Sequence, residues 1–87
     1  MLTKKITVTN PSGLHMRPAG VFVKTILPFK SSVMFSIRDN EYNCRSIFNI
    51  LSAAVKYGEE IELSVTGPDE KECMESLTYA FESGLGE

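Results

Sequence analysis

Apolar and polar residues alternate along four short segments of the chain. This period of two is typical of a strand with one buried face. The four segments are residues 2–9, 32–38, 41–44 and 61–65. In the first, Leu2, Ile6 and Val8 share the apolar face. Asp39-Asn40 separates the second segment from the third and favours a turn, so we predict that these two strands form an antiparallel hairpin.

Between these strands, apolar residues recur every three or four positions, as in helices with one buried face. We predict that the first helix runs from residue 16 to about residue 27. The second begins at a Ser46 N-cap and ends before Gly58. The third begins after Gly67-Pro68 and ends at Gly84. Pro28 ends the first helix because proline disfavours helix in the residue before it. Asp69 and Glu72 have the spacing of a capping pair for the third helix.

The elements follow the order β-α-β-β-α-β-α. Strands with one apolar face and helices with one apolar stripe are satisfied by two layers, in which helices cover one side of an antiparallel sheet. The sequence therefore predicts an α+β fold, an open-faced β-sandwich with a four-stranded antiparallel sheet and three helices on one face. We expect residues 1–87 to form a single domain, because so short a chain buries one small core.

Composition and charge narrow the classes of partner. The chain carries nine Lys and Arg residues against eleven Asp and Glu, with no basic run longer than Lys4-Lys5, which argues against nucleic acid binding. No stretch approaches the roughly 20 apolar residues of a membrane span, and residues 1–10 lack the continuous apolar core of a signal peptide. We expect a cytoplasmic monomer that neither binds nucleic acid nor inserts into a membrane.

Cysteine spacing gives no metal or redox motif. Cys44 and Cys73 lie far apart, there is no CxxC, and His15 is the single histidine. We expect no metal site and no cofactor, and we expect both thiols to be reduced and structural. A disulfide between Cys44 and Cys73 is the alternative.

The segment GLHMRPAG at residues 13–20 carries the most specific chemistry. If His15 is the N-cap of the first helix, Met16 and Arg17 present backbone N–H groups that no helical carbonyl satisfies, and Pro18 falls in the first turn. A free imidazole nitrogen there is a candidate nucleophile. A phosphoryl group on it would accept from the Met16 and Arg17 amides and pair with the Arg17 guanidinium. The simpler interpretation is that His15 only caps the helix.

The GLHMRPAG segment, the order of elements and the RSIF segment at residues 45–48 make this chain resemble the HPr family, the histidine-containing phosphocarriers of the bacterial phosphoenolpyruvate-dependent sugar phosphotransferase system. The resemblance implies that His15 accepts phosphate on Nδ1 from phosphorylated enzyme I and passes it to enzyme IIA domains. It also implies that Arg17 stabilises the phosphate. Such a protein is a covalent carrier on which enzymes act, and is not itself an enzyme.

Ser46 has two compatible interpretations. From its position it caps the second helix. The resemblance implies a regulatory phosphorylation site, with a bifunctional HPr kinase/phosphorylase as the modifying enzyme and a catabolite-control transcription factor as a partner. Two alternative functions remain: a regulatory HPr paralogue in catabolite control that has no role in sugar transport, and a small ligand-sensing or interaction domain in which GLHMRPAG is only a loop.

The two helices near His15 also suggest a protein-binding surface. We use the name docking patch for six residues: Gly20, Val21, Lys24, Ile47, Phe48 and Leu51. A short helix cannot bury all the apolar residues of the second helix, although the pattern leaves open whether Ile47, Phe48 and Leu51 belong to the core. With Arg17, Lys24 and Arg45 at its rim, the patch is suited to acidic partners.

Overall fold

The computed structural model describes residues 1–86, which form four strands and three helices. The strands are β1 (Leu2–Thr7), β2 (Ser32–Ile37), β3 (Asn40–Asn43) and β4 (Glu60–Thr66). The helices are α1 (Met16–Ile26), α2 (Ile47–Ser52) and α3 (Glu70–Glu82). Their order is the predicted β-α-β-β-α-β-α. None of the helices within residues 1–86 is long and apolar enough to cross a membrane.

The strands form one antiparallel sheet in the order β1-β4-β2-β3. In the centre of the sheet, Val33 lies opposite Val65 and Phe35 lies opposite Leu63, and all four side chains are buried. On the other face of β4, Glu60, Glu62 and Thr66 are exposed and Ser64 is half-buried. The sheet therefore has one apolar face and one face in water, which confirms the open-faced β-sandwich.

The helices cover the apolar face, and Phe22 of α1 lies where they meet the sheet. The Phe22 ring packs edge-on against Phe81 of α3, with 5.2 Å between ring centroids, and lies 6.2 Å from the ring of Phe35 in β2. Its side chain is fully buried. One aromatic side chain thus joins α1 and α3 to the sheet.

The turn between β2 and β3 lies one residue earlier than predicted. Arg38 and Asp39 occupy it, with φ of +51° and +65°, while Asn40 already pairs with Ile37. Two consecutive residues with positive φ are the signature of a type I′ turn, whose twist matches that of the flanking strands. The prediction of an Asp39-Asn40 turn is therefore wrong, because strand twist and register decide its position.

Two elements are shorter than the pattern predicts. β1 ends at Thr7. Leu2 lies on the same face as Ile6, as predicted, opposite Val65 of β4, but it is 36% exposed because it lies at the end of an edge strand. On this strand only Ile6 packs against the core. α2 ends at Ser52, well before residue 58, because Ala54 adopts a left-handed conformation with φ of +51°, which cannot continue a helix.

Asp69 has a different role from the predicted capping pair with Glu72. Its side chain makes no cap hydrogen bond to α3. Instead, the carboxylate accepts from the backbone N–H groups of Lys30 at 2.9 Å and Ser31 at 3.0 Å, and from the Ser31 hydroxyl. Glu70, rather than Glu72, accepts a backbone N–H at the start of the helix, at 3.1 Å. Asp69 therefore fastens the α1–β2 connection to the N-terminus of α3.

Cys44 and Cys73 are both buried and free, so the alternative of a disulfide between them is not what the structure contains. Burial raises the pKa of the Cys44 thiol, and the neighbouring Cys73 raises it further. Burial also raises the pKa of Cys73, with a further contribution from Asp69. Both residues therefore act as small apolar core side chains.

We expect Asp69→Asn to be less stable than the wild type at neutral pH and to lose this deficit in acid. The Ser31 hydroxyl, followed by the Lys30 amide, holds the pKa of Asp69 below its ordinary value. The carboxylate therefore stabilises the fold above its unfolded-state pKa of about 3.9, and this contribution disappears as the pH falls through the lower folded-state pKa. Urea unfolding of both proteins from about pH 7 to pH 2 measures the difference.

The control is Glu75→Gln, which removes an exposed carboxylate from the same helix. It should follow the wild type across the pH range. A constant difference between Asp69→Asn and the wild type at every pH would contradict the assigned role of Asp69.

Candidate functional site

His15 is the N-cap of α1, as the sequence predicts. Its backbone is extended, with φ of −78°, and its carbonyl accepts the N–H of Ala19 at 2.8 Å. The imidazole does not cap the helix, and it makes no hydrogen bond with any residue in the range 1–86. The side chain is exposed. The imidazole is therefore open to a reacting group.

The first turn of α1 presents donors beside this imidazole. Because the helical hydrogen bonds begin at the Ala19 N–H, the N–H groups of Met16 and Arg17 have no carbonyl partner inside the helix. Pro18 has no N–H and is buried. Arg17 is exposed, and its guanidinium bonds to no residue of the described chain. Free amides, a positive helix end and an unpaired guanidinium together suit an anion.

The loop before α1 is held against the segment after α2 by backbone contacts. The Leu14 N–H donates to the carbonyl of Val55 at 2.9 Å. Gly13 has φ of +64°, and a Cβ at this position would lie 2.3 Å from the same Val55 oxygen. The Asn10 side-chain amide also donates to the Gly13 carbonyl. Only glycine permits this contact, so the glycine at position 13 determines the position of the loop that carries His15.

A shallow cleft of about 250 Å³ lies beside the imidazole. It is lined by Ser12, Leu14, His15, Leu51, Ala54, Val55 and Lys56. Lys56 is the one cationic side chain in this lining. The contribution of residues 54–56 could not be predicted from the sequence, because they follow His15 by 39 to 41 positions and no motif connects the two segments. Within residues 1–86, no cluster of three His, Cys, Asp or Glu side chains could hold a metal ion.

The structure shows which α2 residues of the docking patch are exposed and which pack against the core. Phe48 is 78% exposed and contributes nothing to the core. Ile47 and Leu51 are half-buried and pack against it. Leu51 also lines the His15 cleft, which places this helix directly beside the histidine. An exposed phenylalanine next to two partly exposed aliphatic residues forms a small apolar surface at the site.

The α1 part of the patch is less uniform. Lys24 is exposed, and a Cβ on Gly20 would meet no atom within 4 Å, so this part of α1 is open to a partner. Val21 is half-buried and lines a separate cavity between α1 and α3. Arg45, expected at the rim, donates to the carbonyls of Phe29 and Ser31. Its guanidinium therefore has a structural role in the α1–β2 connection.

Charge is strongly segregated along the chain. Residues 1–38 contain six Lys or Arg residues and no Asp or Glu, whereas all eleven acidic residues lie at position 39 or later. Neither α1 nor α2 contains an acidic residue, while α3 carries four glutamates. The helices beside His15 therefore present positive charge, although the net charge of the chain is −2. Such a surface attracts acidic partners.

Ser46 is the N-cap of α2, which confirms the structural interpretation of this residue. Its Oγ accepts the N–H of Asn49 at 3.3 Å, and the side chain is half-buried. It directly precedes Ile47 and Phe48. Any group attached to its hydroxyl would stand at the edge of the docking patch.

Comparisons with known proteins agree with this geometry. The family model described as "PTS HPr component phosphorylation site" matches residues 2–83. The phosphocarrier protein HPr of Xylella fastidiosa (strain Temecula1) is 34% identical over 87 residues, which cover 100% of this chain and 98% of that protein. The crystal structure of HPr-C-His from Thermoanaerobacter tengcongensis has a TM-score of 0.95 at 37% identity and covers 100% of this chain and 98% of its own.

A second type of relative has the same fold. The crystal structure of Crh, a catabolite repression protein of Bacillus subtilis, has a TM-score of 0.77 at 33% identity over 97% of each chain. The match of the family model and the similarity to HPr proteins extend over nearly all of the chain. The chain therefore belongs to the HPr family of phosphotransferase-system phosphocarriers.

Proposed function

We propose that this protein carries a phosphoryl group on His15, which it accepts from phosphorylated enzyme I and passes to enzyme IIA domains. The observation that supports this most strongly is the imidazole at the start of α1. It is exposed, it has no hydrogen-bond partner within residues 1–86, and it stands beside two helix N–H groups without helical partners. A histidine that served only as a helix cap would use its side chain for capping.

The transfer is a nucleophilic substitution at phosphorus. Nδ1 of His15 donates its lone pair to phosphorus, and the bond between phosphorus and the donor breaks, with its electron pair returning to the donor. The phosphoryl oxygens then accept from the Met16 and Arg17 amides, and the exposed Arg17 guanidinium adds a charge-assisted pair. The reverse sequence delivers the group to enzyme IIA. Turnover belongs to the partner enzymes, and this protein is their substrate.

We expect His15→Ala to abolish labelling. After incubation with enzyme I and phosphoenolpyruvate, the wild type should carry acid-labile phosphate and the variant none, because the nucleophile is gone. Circular dichroism should be unchanged, since the side chain is exposed and makes no cap bond. Equal labelling of both proteins would contradict the choice of His15, and an unlabelled wild type would contradict the carrier function.

The docking patch is the proposed landing surface for both enzymes. Its apolar centre, Phe48, is surrounded by helices without acidic residues, and Arg17 and Lys24 supply positive charge. An exposed aromatic residue at the centre of a patch is the usual type of binding hot spot. Complementary acidic surfaces on enzyme I and enzyme IIA would steer the encounter.

We expect Phe48→Ala to weaken binding to enzyme I by more than about 1 kcal/mol while leaving thermal stability nearly unchanged, because the ring is exposed. Titration calorimetry and thermal unfolding measure the two quantities. Tyr79→Ala is the matched control, since this aromatic residue is 73% exposed but lies on α3, outside the patch. A stability loss of about 3–5 kcal/mol with unchanged affinity would identify Phe48 as a core residue.

Regulation at Ser46 is the second proposal, and the likeness to Crh favours it. We infer that an HPr kinase/phosphorylase modifies Ser46 and that the modified protein engages a catabolite-control transcription factor. A phosphate at the α2 N-terminus is electrostatically acceptable to the helix. It would nevertheless place up to two negative charges beside Phe48 and repel acidic partners. A protein that serves only as a regulator has no need of His15, so the accessible imidazole favours a carrier that is also regulated.

We expect Ser46→Asp to slow phosphorylation of His15 by enzyme I without lowering thermal stability, because aspartate caps a helix as serine does but adds charge. Initial labelling rates at low and high salt measure the effect, which should shrink as salt screens the repulsion. Ser46→Asn is the matched control, since it caps the helix without adding charge. Equal rates for the two variants at low salt would exclude a charge switch.

A further inference from the structure

Lys56 supplies the single cation in the cleft beside His15, and Arg17 is not part of that lining. We propose that Lys56 is a further phosphoryl-binding residue, whose ammonium group pairs with the oxygens of the phosphoryl group on His15. This inference rests on the proposed carrier function. It adds a ligand from the segment between α2 and β4 to those supplied by the first turn of α1.

Hydrogen bonds to Glu59 hold the backbone of Lys56 on the side that faces away from the loop carrying His15. Its N–H donates to one carboxylate oxygen of Glu59 at 2.8 Å, and its carbonyl accepts the Glu59 N–H at 3.1 Å. Arg38 donates to the other oxygen of the same carboxylate and to the carbonyl of Ala53. The two ends of the short segment 53–59 are thereby joined through one arginine, which limits how far Lys56 can move.

The near side of this segment contacts the loop that carries His15. The Leu14 N–H bonds to the Val55 carbonyl at 2.9 Å, so His15 and Lys56 each directly follow one member of a hydrogen-bonded pair. A Cβ on Gly13 would lie 2.9 Å from the Cα of Lys56, which shows how closely the two backbones approach. These contacts hold Lys56 and His15 on two neighbouring backbone segments that line the same cleft.

The ammonium group is free to bind a ligand. The Lys56 side chain is exposed and makes no hydrogen bond or ion pair with any residue in the range 1–86. The Lys56 backbone N–H and the Arg38 side chain lower the pKa of the nearby Glu59 carboxyl, and the Lys56 ammonium adds a weaker electrostatic contribution. Both oxygens of that carboxylate already accept hydrogen bonds, from the Lys56 backbone and from Arg38. A dianionic phosphoryl group in the cleft would therefore be the stronger counter-ion for Lys56.

A cation in this position has a consequence that a purely structural lysine would not have. The positive charge favours the dianionic phosphoryl group over the monoanion, and so it lowers the pKa of the second ionisation of that group. Removal of the charge should raise this pKa. Arginine at the same position keeps the charge and should leave the pKa unchanged.

The test labels each protein with enzyme I and phosphoenolpyruvate and follows the ³¹P chemical shift of the phosphohistidine against pH. We expect Lys56→Gln to raise the titration midpoint by about 0.15–0.7 pH unit, the range for a solvent-exposed ion pair. Lys56→Arg should restore the wild-type midpoint. The control is Lys71→Gln, which removes an exposed lysine of α3 outside the cleft and should leave the midpoint unchanged.

The experiment distinguishes failure of the proposed Lys56 role from failure of the carrier function. If the proteins are labelled but Lys56→Gln titrates like Lys71→Gln, Lys56 does not bind the phosphoryl group, and the carrier function stands. If Lys56→Gln and Lys56→Arg shift the midpoint equally, charge is not the cause and the inference is overturned. If the wild type takes up no acid-labile phosphate, the carrier function itself is wrong, and the inference falls with it.

Discussion

The site depends on one backbone contact, the hydrogen bond from the Leu14 N–H to the Val55 carbonyl at 2.9 Å. It brings the loop before α1 against the segment after α2, two parts of the chain that share no secondary structure. The contact needs glycine at position 13, because a Cβ there would collide with the same carbonyl. Both the imidazole of His15 and the ammonium of Lys56 are therefore placed by backbone geometry rather than by bonds of their own. A phosphoryl carrier benefits from this arrangement, since the side chains remain free until the ligand arrives.

Charge segregation explains how a chain with a net charge of −2 can present an anion-binding surface. Within residues 1–86, the acidic residues lie on α3, on the outer sheet face and in turns, whereas α1 and α2 have none. The field at His15 is local, because mobile ions screen charges beyond about 8–10 Å at physiological salt. Exposure has a second effect: in the proposed phosphorylated form, water would compete for the phosphoryl oxygens and keep each ion pair weak. Weak pairing would suit the proposed transfer, because a group that is to be passed on must not be held tightly.

The parts of the site that follow from local pattern could be read from the sequence. His15 and Ser46 are N-caps in the structure, because capping depends on a few neighbouring residues. The order of elements also follows from periodicity, which reports the buried face of each element. Asp69 could not be assigned in this way, since its partners Lys30 and Ser31 lie in a distant connection. The β2–β3 turn could not be placed from the sequence because strand register decides its position. The contribution of Lys56 to the cleft could not be predicted because it depends on contact between segments remote in sequence.

Stability and recognition use different atoms of the same helices. On α1, Phe22 is fully buried against Phe35 and Phe81, while Lys24 on the opposite side is exposed. On α2, Ile50 is fully buried and Phe48 is 78% exposed. If the docking patch binds partners as proposed, substitutions on the exposed side change partner affinity with little cost in folding free energy. Substitutions on the buried side cost several kcal/mol, about 3–5 for a phenylalanine. Because a small domain has a narrow margin of stability, this division lets the surface beside His15 vary to suit different partners while the backbone that positions the histidine stays the same.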